Sequence, residues 1–157
     1  MGIFDSFKSL FGTPKEQQSP RTNNSTETPS INQKKVLIVE DEKVLADALE
    51  IKFKHENFQV FKAENGQIGL DMVQQNKPDV VLLDLMMPVM DGKTMLRKMR
   101  EIPEFKNLPV VVLTNAGEVD NIRETKQYDN ASAFLIKSNI NPEDVVKVVK
   151  DLLKIYL

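Results

Sequence analysis

Short runs of β-branched and other apolar residues alternate with longer amphipathic stretches from Lys34 to the end of the chain. The short runs have the length of buried strands, and the longer stretches repeat their apolar positions with the period of an α-helix. Strands are predicted at residues 34–39, 58–63, 79–84, 108–114 and 131–137. Helices are predicted at residues 42–56, 65–75, 93–101, 119–127 and 141–156. The first should turn Leu45, Ala48, Leu49 and Phe53 toward the core. Asp91 and Asn141 are expected to cap the third and the last of these helices.

This alternation is a (βα)5 pattern. Strands that are apolar on both faces and separated by helices indicate a parallel sheet covered on both sides. Right-handed crossovers make it a doubly wound α/β sandwich, in which ligands bind at the carboxyl ends of the strands. The polar residues at those ends are therefore the candidates for function.

The first 33 residues do not fit the pattern. Residues 12–33 hold one large aliphatic side chain, Ile31, among Pro, Ser, Thr, Asn and Gln. Such a stretch cannot bury enough apolar surface to offset the entropy of ordering it. We therefore predict a short amphipathic segment at residues 1–11, a disordered linker at 12–33 and one folded domain at 34–157.

Composition narrows the possible chemistry. The 157 residues include 21 basic and 23 acidic side chains, no cysteine, and one histidine, His55. The near balance of charge argues against a broad nucleic-acid-binding surface, and no apolar run approaches the roughly 18 residues of a membrane span. The absence of cysteine excludes disulfides and thiolate metal sites and suits a reducing cytoplasm. With one histidine, a multi-histidine metal site or a histidine-centred triad is hard to build. Carboxylates, hydroxyls and lysines must carry any chemistry.

Polar residues of these types come at the ends of four of the predicted strands. They are Glu40, Asp41 and Glu42 at the end of the first strand, Asp84 at the end of the third, Thr114 and Asn115 at the end of the fourth, and Lys137 at the end of the fifth. Helix capping could explain Asp41 or Glu42, but not Asp84, because the next helix begins some seven residues later. Clustered carboxylates repel one another and need a cation, and their hard oxygens favour Mg²⁺ or a similar ion.

Other doubly wound families do not fit. The first strand leads into V-E-D-E-K-V (39–44) rather than G-x-G-x-x-G, and no phosphate-cradling G-x-x-x-x-G-K-[ST] motif occurs. A Toprim-like nuclease would pair Glu40 with Asp-x-Asp, but the residues after Asp84 are Leu85 and Met86.

The segment D-L-M-M-P-V-M-D-G, residues 84–92, resembles the stretch from the phosphorylated aspartate to the loop glycine in receiver domains of two-component response regulators. Glu40 and Asp41 stand at the family's acidic pair, Thr114 at its hydroxyl position thirty residues after Asp84, Lys137 at its lysine and Phe134 at its aromatic switch position. The resemblance covers about residues 34–157 and implies a five-stranded parallel sheet in the order 2-1-3-4-5.

The resemblance implies a stand-alone response regulator for phosphorelay signalling. Asp84 would accept a phosphoryl group from a phosphohistidine on a sensor histidine kinase or phosphotransfer protein, and the phosphorylated domain would signal by contact with a downstream protein. No separate catalytic output is expected, since the domain would catalyse only its own phosphorylation and dephosphorylation. The alternative is a receiver-shaped scaffold or adaptor that no longer cycles phosphate.

The resemblance also assigns roles within the site. Lys137, Thr114 and the backbone N–H of Asn115 would contact the phosphoryl oxygens, and Thr114 with Phe134 would form the switch. The ligands of Mg²⁺ would be Asp41, Asp84, the backbone carbonyl of Met86 and, through water, Glu40. In members that lose phosphate quickly, polar side chains two residues past the aspartate and two past the threonine help to hold water, and here these positions are Met86 and Ala116.

The sequence departs from the family pattern at four positions. Glu40 replaces the more usual aspartate and keeps its charge, and Asn115 replaces a small residue of which the backbone is used. Asn130 stands where glycine is common. Ser138 replaces a proline that often has a cis bond before it; a cis Lys137–Ser138 bond would cost roughly 3 kcal/mol, and the alternative is a different, trans geometry.

Two apolar residues of the first helix, Val44 and Ile51, lie on the side away from Leu45 and Leu49. In receivers this side faces the histidine helices of the kinase, so partner docking is the favoured explanation, and spare surface hydrophobicity is the alternative.

Residues 1–11 carry Ile3, Phe4, Phe7, Leu10 and Phe11 at helical spacing and almost no net charge. We expect a helix that docks on a membrane surface or in a partner groove through apolar area; covering a patch of the domain itself is the alternative. The full chain should then float with neutral liposomes, and a protein that begins at Ile31 should not. Equal flotation of the two proteins would exclude the membrane version.

Overall fold

The computed structural model describes residues 33–118 and 131–155. Five parallel strands form one sheet: β1 (Lys35–Val39), β2 (Gln59–Ala63), β3 (Val80–Asp84), β4 (Val110–Thr114) and β5 (Ala133–Ile136). Their order is β2-β1-β3-β4-β5. The described helices are α1 (Lys43–His55), α2 (Gly66–Asn76), α3 (Gly92–Glu101) and α4 (Pro142–Leu152). The predicted doubly wound α/β fold and its strand order are confirmed.

Alternate residues of the central strands point to opposite faces of the sheet, which gives two separate apolar cores. Leu37 and Val39 of β1 pack in the core beneath α2 and α3. Val36 and Ile38 of the same strand pack in the core beneath α1 and α4. Because both faces are covered, β3 and β4 are buried along their whole length, as their continuous apolar sequence predicts.

Side-chain caps fix where three of the described helices start, with Asn65 at α2, Asp91 at α3 and Asn141 at α4. Asp91 Oδ1 accepts a hydrogen bond of 2.7 Å from the backbone N–H of Thr94, and Asn141 Oδ1 accepts one of 3.1 Å from that of Glu143. These bonds satisfy backbone donors that the first turn of a helix leaves unpaired. The predicted capping roles of Asp91 and Asn141 are confirmed.

Two details of the helices differ from prediction. The buried face of α1 is formed by Ala46, Leu49 and Phe53, whereas Ala48, predicted to point inward, is only half-buried. The last helix ends at Leu152 rather than running to Tyr156, because Lys154 takes a left-handed conformation with φ of 53°. The backbone N–H of Ile155 then donates to the carbonyl of Lys150 at 2.9 Å, which closes the helix end.

Several predictions concern residues outside the described ranges: the segment at 1–11, nearly all of the linker at 12–33, the helix at 119–127, and Asn130. Within residues 33–118 and 131–155, none of the helices has the length and apolar character needed to span a membrane.

Candidate functional site

Three carboxylates meet at the carboxyl edge of the sheet. Glu40 comes directly after β1, Asp41 comes next, and Asp84 is the last residue of the neighbouring strand β3. One oxygen from each lies within 4.8 Å of one from each of the others. Glu40 and Asp84 are buried, and Asp41 is exposed. The structure thus brings together the acidic residues that the strand ends predict.

Lys137 enters this cluster from the turn after β5. Its Nζ lies 2.8 Å from Glu40 Oε1, 2.8 Å from Glu40 Oε2 and 2.8 Å from Asp84 Oδ2. Burial lowers the pKa of Lys137, but its interactions with Asp84 and Glu40 outweigh burial and raise the pKa above its ordinary value. The side chain is therefore a permanent cation at neutral pH.

The carboxyl group of Glu40 is buried, and burial disfavours its charged form. Burial raises the pKa of Glu40 to about 7, although hydrogen bonds from Lys137 and from the backbone N–H of Glu42 act to lower it. Nearby Asp84 adds a repulsion that also favours the protonated form. The site therefore holds more negative charge than one ammonium group neutralises.

The arrangement fits a hard divalent cation. Glu40 Oε2 and Asp84 Oδ2 are both buried, and each lies 2.8 Å from the Lys137 ammonium as an ion pair without a well-aligned hydrogen bond from the described part of the chain. One ammonium group shared by two buried carboxylates leaves their charge incompletely balanced, and oxygen ligands without any nitrogen or sulfur suit Mg²⁺. Exposed Asp41 leaves the cluster open to solvent on one side.

The loop after β3 is held close to Asp84. The backbone N–H of Met86 donates to Asp84 Oδ1 at 3.1 Å, while the Met86 side chain is 63% exposed. The backbone N–H of Gly92 donates to the carbonyl of Leu85 at 3.0 Å, so that the loop closes on itself. Val89, at the loop tip, takes a left-handed conformation with φ of 68°.

Thr114 and Asn115 lie at the end of β4, on the other side of β3 from Glu40. Thr114 is buried, and its hydroxyl donates to Glu118 Oε2 at 2.9 Å. The backbone N–H of Asn115 donates to the same Glu118 oxygen at 3.2 Å. Glu118 was missed by reasoning from the sequence, although an asparagine with a glutamate three residues later has a capping-box spacing that could have drawn attention to it.

The remaining predicted residues are exposed or half-exposed at the surface. Phe134, in β5, is 40% exposed, and Val44 and Ile51 of α1 are 78% and 71% exposed. The described residues contain no cis peptide bond, so the bond between Lys137 and Ser138 is trans. Of the two geometries left open for this departure from the family pattern, the structure shows the trans form.

Comparisons with known proteins agree on one family. A family model described as the response regulator receiver domain matches residues 36–150. Sporulation initiation phosphotransferase F of Bacillus subtilis is 37% identical over 123 residues, which is 78% of this chain and 93% of that protein. The chain therefore belongs to the response regulator receiver domain family of two-component and phosphorelay signalling.

Solved structures show the same fold. A putative response regulator from Chloroflexus aurantiacus matches with a TM-score of 0.71 and 28% identity, over 78% of this chain and 99% of that one. The receiver domain of the sensor histidine kinase PA1611 from Pseudomonas aeruginosa, solved with a magnesium ion coordinated in its active site cleft, matches with a TM-score of 0.70 and 20% identity, over 78% and 99%.

Gly92 is needed because of how closely it approaches β3. A Cβ atom at this position would lie 2.0 Å from the backbone carbonyl oxygen of Asp84 and 3.0 Å from Leu85 Cα, which no rotamer change relieves. We expect Gly92→Ala to lower the free energy of unfolding by about 1–3 kcal/mol, as overpacking does. Urea denaturation measures the change.

Gly117 provides the matched control, since a Cβ there would have no atom within 4 Å. Gly117→Ala should stay within about 0.5 kcal/mol of the wild-type protein. Equal stability of the two variants would show that the loop accommodates the extra Cβ atom at residue 92 without loss of stability. The close approach to Asp84 would then not explain why residue 92 is a glycine.

Proposed function

We propose that this receiver domain accepts a phosphoryl group on Asp84 from a phosphohistidine of a sensor histidine kinase or phosphotransfer protein, and then signals by protein–protein contact. The observation that carries the proposal is the position of Asp84. Its carboxylate is buried at the edge of the sheet, 2.8 Å from the ammonium of Lys137 and within 4.8 Å of oxygens of Glu40 and Asp41. A structural aspartate needs no such surroundings.

The reaction is a transfer between two nucleophiles. An oxygen of Asp84 forms a bond to phosphorus while the bond between phosphorus and the histidine nitrogen breaks, and the neutral imidazole leaves after taking up a proton. Apart from the attack by Asp84, the protein takes no covalent part in the reaction. Positioning of the reactants and stabilisation of charge therefore account for most of the rate enhancement. The backbone N–H of Met86, at 3.1 Å from Asp84 Oδ1, fixes the carboxylate.

Lys137 and the end of β4 would stabilise the transferred group. The Lys137 ammonium already contacts Asp84 Oδ2 and can bind a phosphoryl oxygen at the same place. The Thr114 hydroxyl and the Asn115 N–H are hydrogen-bond donors in adjacent positions and would bind further oxygens. β4 would hold both donors in place before the phosphoryl group binds. Such preorganisation is the condition for electrostatic catalysis.

Asp41, Asp84, the carbonyl of Met86 and, through water, Glu40 would hold Mg²⁺, which when bound supplies charge neutralisation for the phosphoryl oxygens. The support is the excess of negative charge and the two buried carboxylate oxygens without a well-aligned donor. The magnesium ion coordinated in the active site cleft of the PA1611 receiver domain adds to it.

The downstream partner and the phosphoryl donor would contact different surfaces of the domain. Thr114 and Phe134 would form the switch: when the threonine turns toward the phosphoryl group it vacates space that the half-exposed phenylalanine can fill, which biases a two-state surface. Val44 and Ile51 are exposed apolar side chains of α1, and Val44 comes three residues after Asp41. They would contact the helices that carry the donor histidine, because the donor must reach Asp84 from the exposed side.

Removal of the acceptor or of its acidic neighbour should abolish labelling. We expect Asp84→Asn and Asp41→Asn each to reduce acyl-phosphate formation to background, since the first lacks the nucleophilic charge and the second a cation ligand. Intact-protein mass spectrometry after incubation with acetyl phosphate and Mg²⁺ measures the product. Asp91→Asn, which changes the same charge at a helix cap, serves as the control and should label normally. Full labelling of Asp84→Asn would refute the assignment.

The aspartyl phosphate should also be long-lived. Hydrolysis requires a water molecule in line with the phosphorus–oxygen bond, and neither exposed Met86 nor exposed Ala116 can hold one by a strong hydrogen bond. One such contact of about 1.4 kcal/mol changes a rate tenfold. Met86→Asn, and still more Met86→Asn/Ala116→Glu, should therefore lose the label about tenfold faster or more. Loss of label within seconds from the wild-type protein, or equal rates in all three, would contradict this expectation.

A further inference from the structure

Glu118 contacts both hydrogen-bond donors at the end of β4 with a single oxygen atom. Glu118 Oε2 lies 2.9 Å from Thr114 Oγ1 and 3.2 Å from the backbone nitrogen of Asn115. The one-turn 3-10 helix Ala116–Glu118 turns the chain back so that this contact can form, and the Glu118 N–H donates to the Asn115 carbonyl at 3.0 Å. A negatively charged oxygen therefore lies between the two donors.

These are the donors that a phosphoryl group on Asp84 would need. A hydroxyl group and a backbone N–H each carry one proton, so that neither can serve two oxygens at full strength. A carboxylate and a phosphoryl group also repel each other at such a distance. Binding of Glu118 and binding of the phosphoryl group at this place exclude each other.

We propose that Glu118 is an internal competitor that occupies the phosphoryl-oxygen position of the unphosphorylated domain and must be displaced when Asp84 is phosphorylated. The inference rests on the proposed function, since it concerns the same site. It assigns Glu118 a positioning role. Its carboxylate accepts the hydrogen bonds of the Thr114 hydroxyl and the Asn115 N–H until a more strongly bound anion replaces it. Displacement would also release the turn at residues 116–118 from its contact with Thr114 and Asn115. Phosphorylation of Asp84 would in this way change the conformation of the surface that follows β4.

A purely structural role for Glu118 makes a different prediction. If the carboxylate only caps the turn after Asn115, a neutral amide oxygen should do so almost as well, because the geometry is kept. If Glu118 competes as an anion, Glu118→Gln should weaken its hold on the two donors, because hydrogen bonds from neutral donors to a charged acceptor are roughly twice as strong as neutral ones. Glu118→Ala removes the acceptor altogether.

The test uses beryllofluoride, an analogue of the phosphoryl group, titrated onto the full chain in the presence of Mg²⁺. The amide signal of Asn115 in ¹H–¹⁵N NMR spectra reports occupancy. We expect half-saturation at about 5- to 10-fold lower concentration for Glu118→Gln, and lower still for Glu118→Ala, from the loss of about one charge-assisted bond. Before beryllofluoride is added, both variants should already shift the Asn115 amide signal.

Glu101→Gln is the matched control. Glu101 is an exposed residue of α3 that pairs with Arg97 at 3.2 Å, so the variant changes net charge equally without touching the site. It should titrate as the wild-type protein does. Tighter binding in Glu101→Gln as well, or unchanged binding in Glu118→Gln, would overturn the role of Glu118. A wild-type protein that binds no beryllofluoride would instead contradict the proposed function.

Discussion

Two carboxylates withdrawn from water, Glu40 and Asp84, share the ammonium group of Lys137, and the rest of the site is arranged around this contact. One cation cannot neutralise them together with Asp41, so the edge of the sheet keeps an excess of negative charge. Together with burial, that excess raises the pKa of Glu40, and it makes the site receptive to a hard cation. Burial makes the arrangement unfavourable for stability, and it would also make each charge act strongly on a phosphoryl group that binds as proposed.

The fold provides this contact through strand order. Placing β3 between β1 and β4 puts Asp84 beside Glu40 on one side and beside Thr114 on the other, and β5 brings Lys137 within reach. Residues that lie up to 97 positions apart thus meet because parallel strands end at the same edge. The two apolar cores hold the strands rigidly, and the functional side chains need only come directly after them.

Much of this architecture was predictable from the sequence. The β-branched runs located the strands within one or two residues. The polar residues at the strand ends indicated the acidic cluster and Lys137. Strand positions and strand-end residues can both be read from short stretches of sequence. The inward face of α1 was less certain: Ala46 and Ala48 are chemically identical, and only packing against the sheet decides that Ala46 is the buried one. The end of α4 depended on a left-handed Lys154, for which the sequence has no glycine to provide a signal.

Glu118 was missed for a related reason. The only local signal for this glutamate is its capping-box spacing from Asn115, and its importance comes from the turn that brings it back to Thr114 and Asn115. The geometry of the bond between Lys137 and Ser138 also needed the structure, because the sequence allowed two forms. Sequence pattern thus identifies the residues at the end of each strand, whereas contacts made across a loop depend on backbone geometry that the pattern does not encode.

Val89 shows how the loop after Asp84 is kept from relaxing. A β-branched residue in the left-handed region is disfavoured by roughly 1–2 kcal/mol, and an exposed valine gains nothing from burial there. The conformation persists because the chain is fixed on both sides, by Gly92 bonded to Leu85 and by Met90 accepting from Gly66 at 2.9 Å. Since the Gly66 bond joins the loop to the start of α2, we expect the two to open as one cooperative unit. Its opening would expose the amides of both elements to solvent hydrogen exchange together, with the strain at Val89 released in the same step.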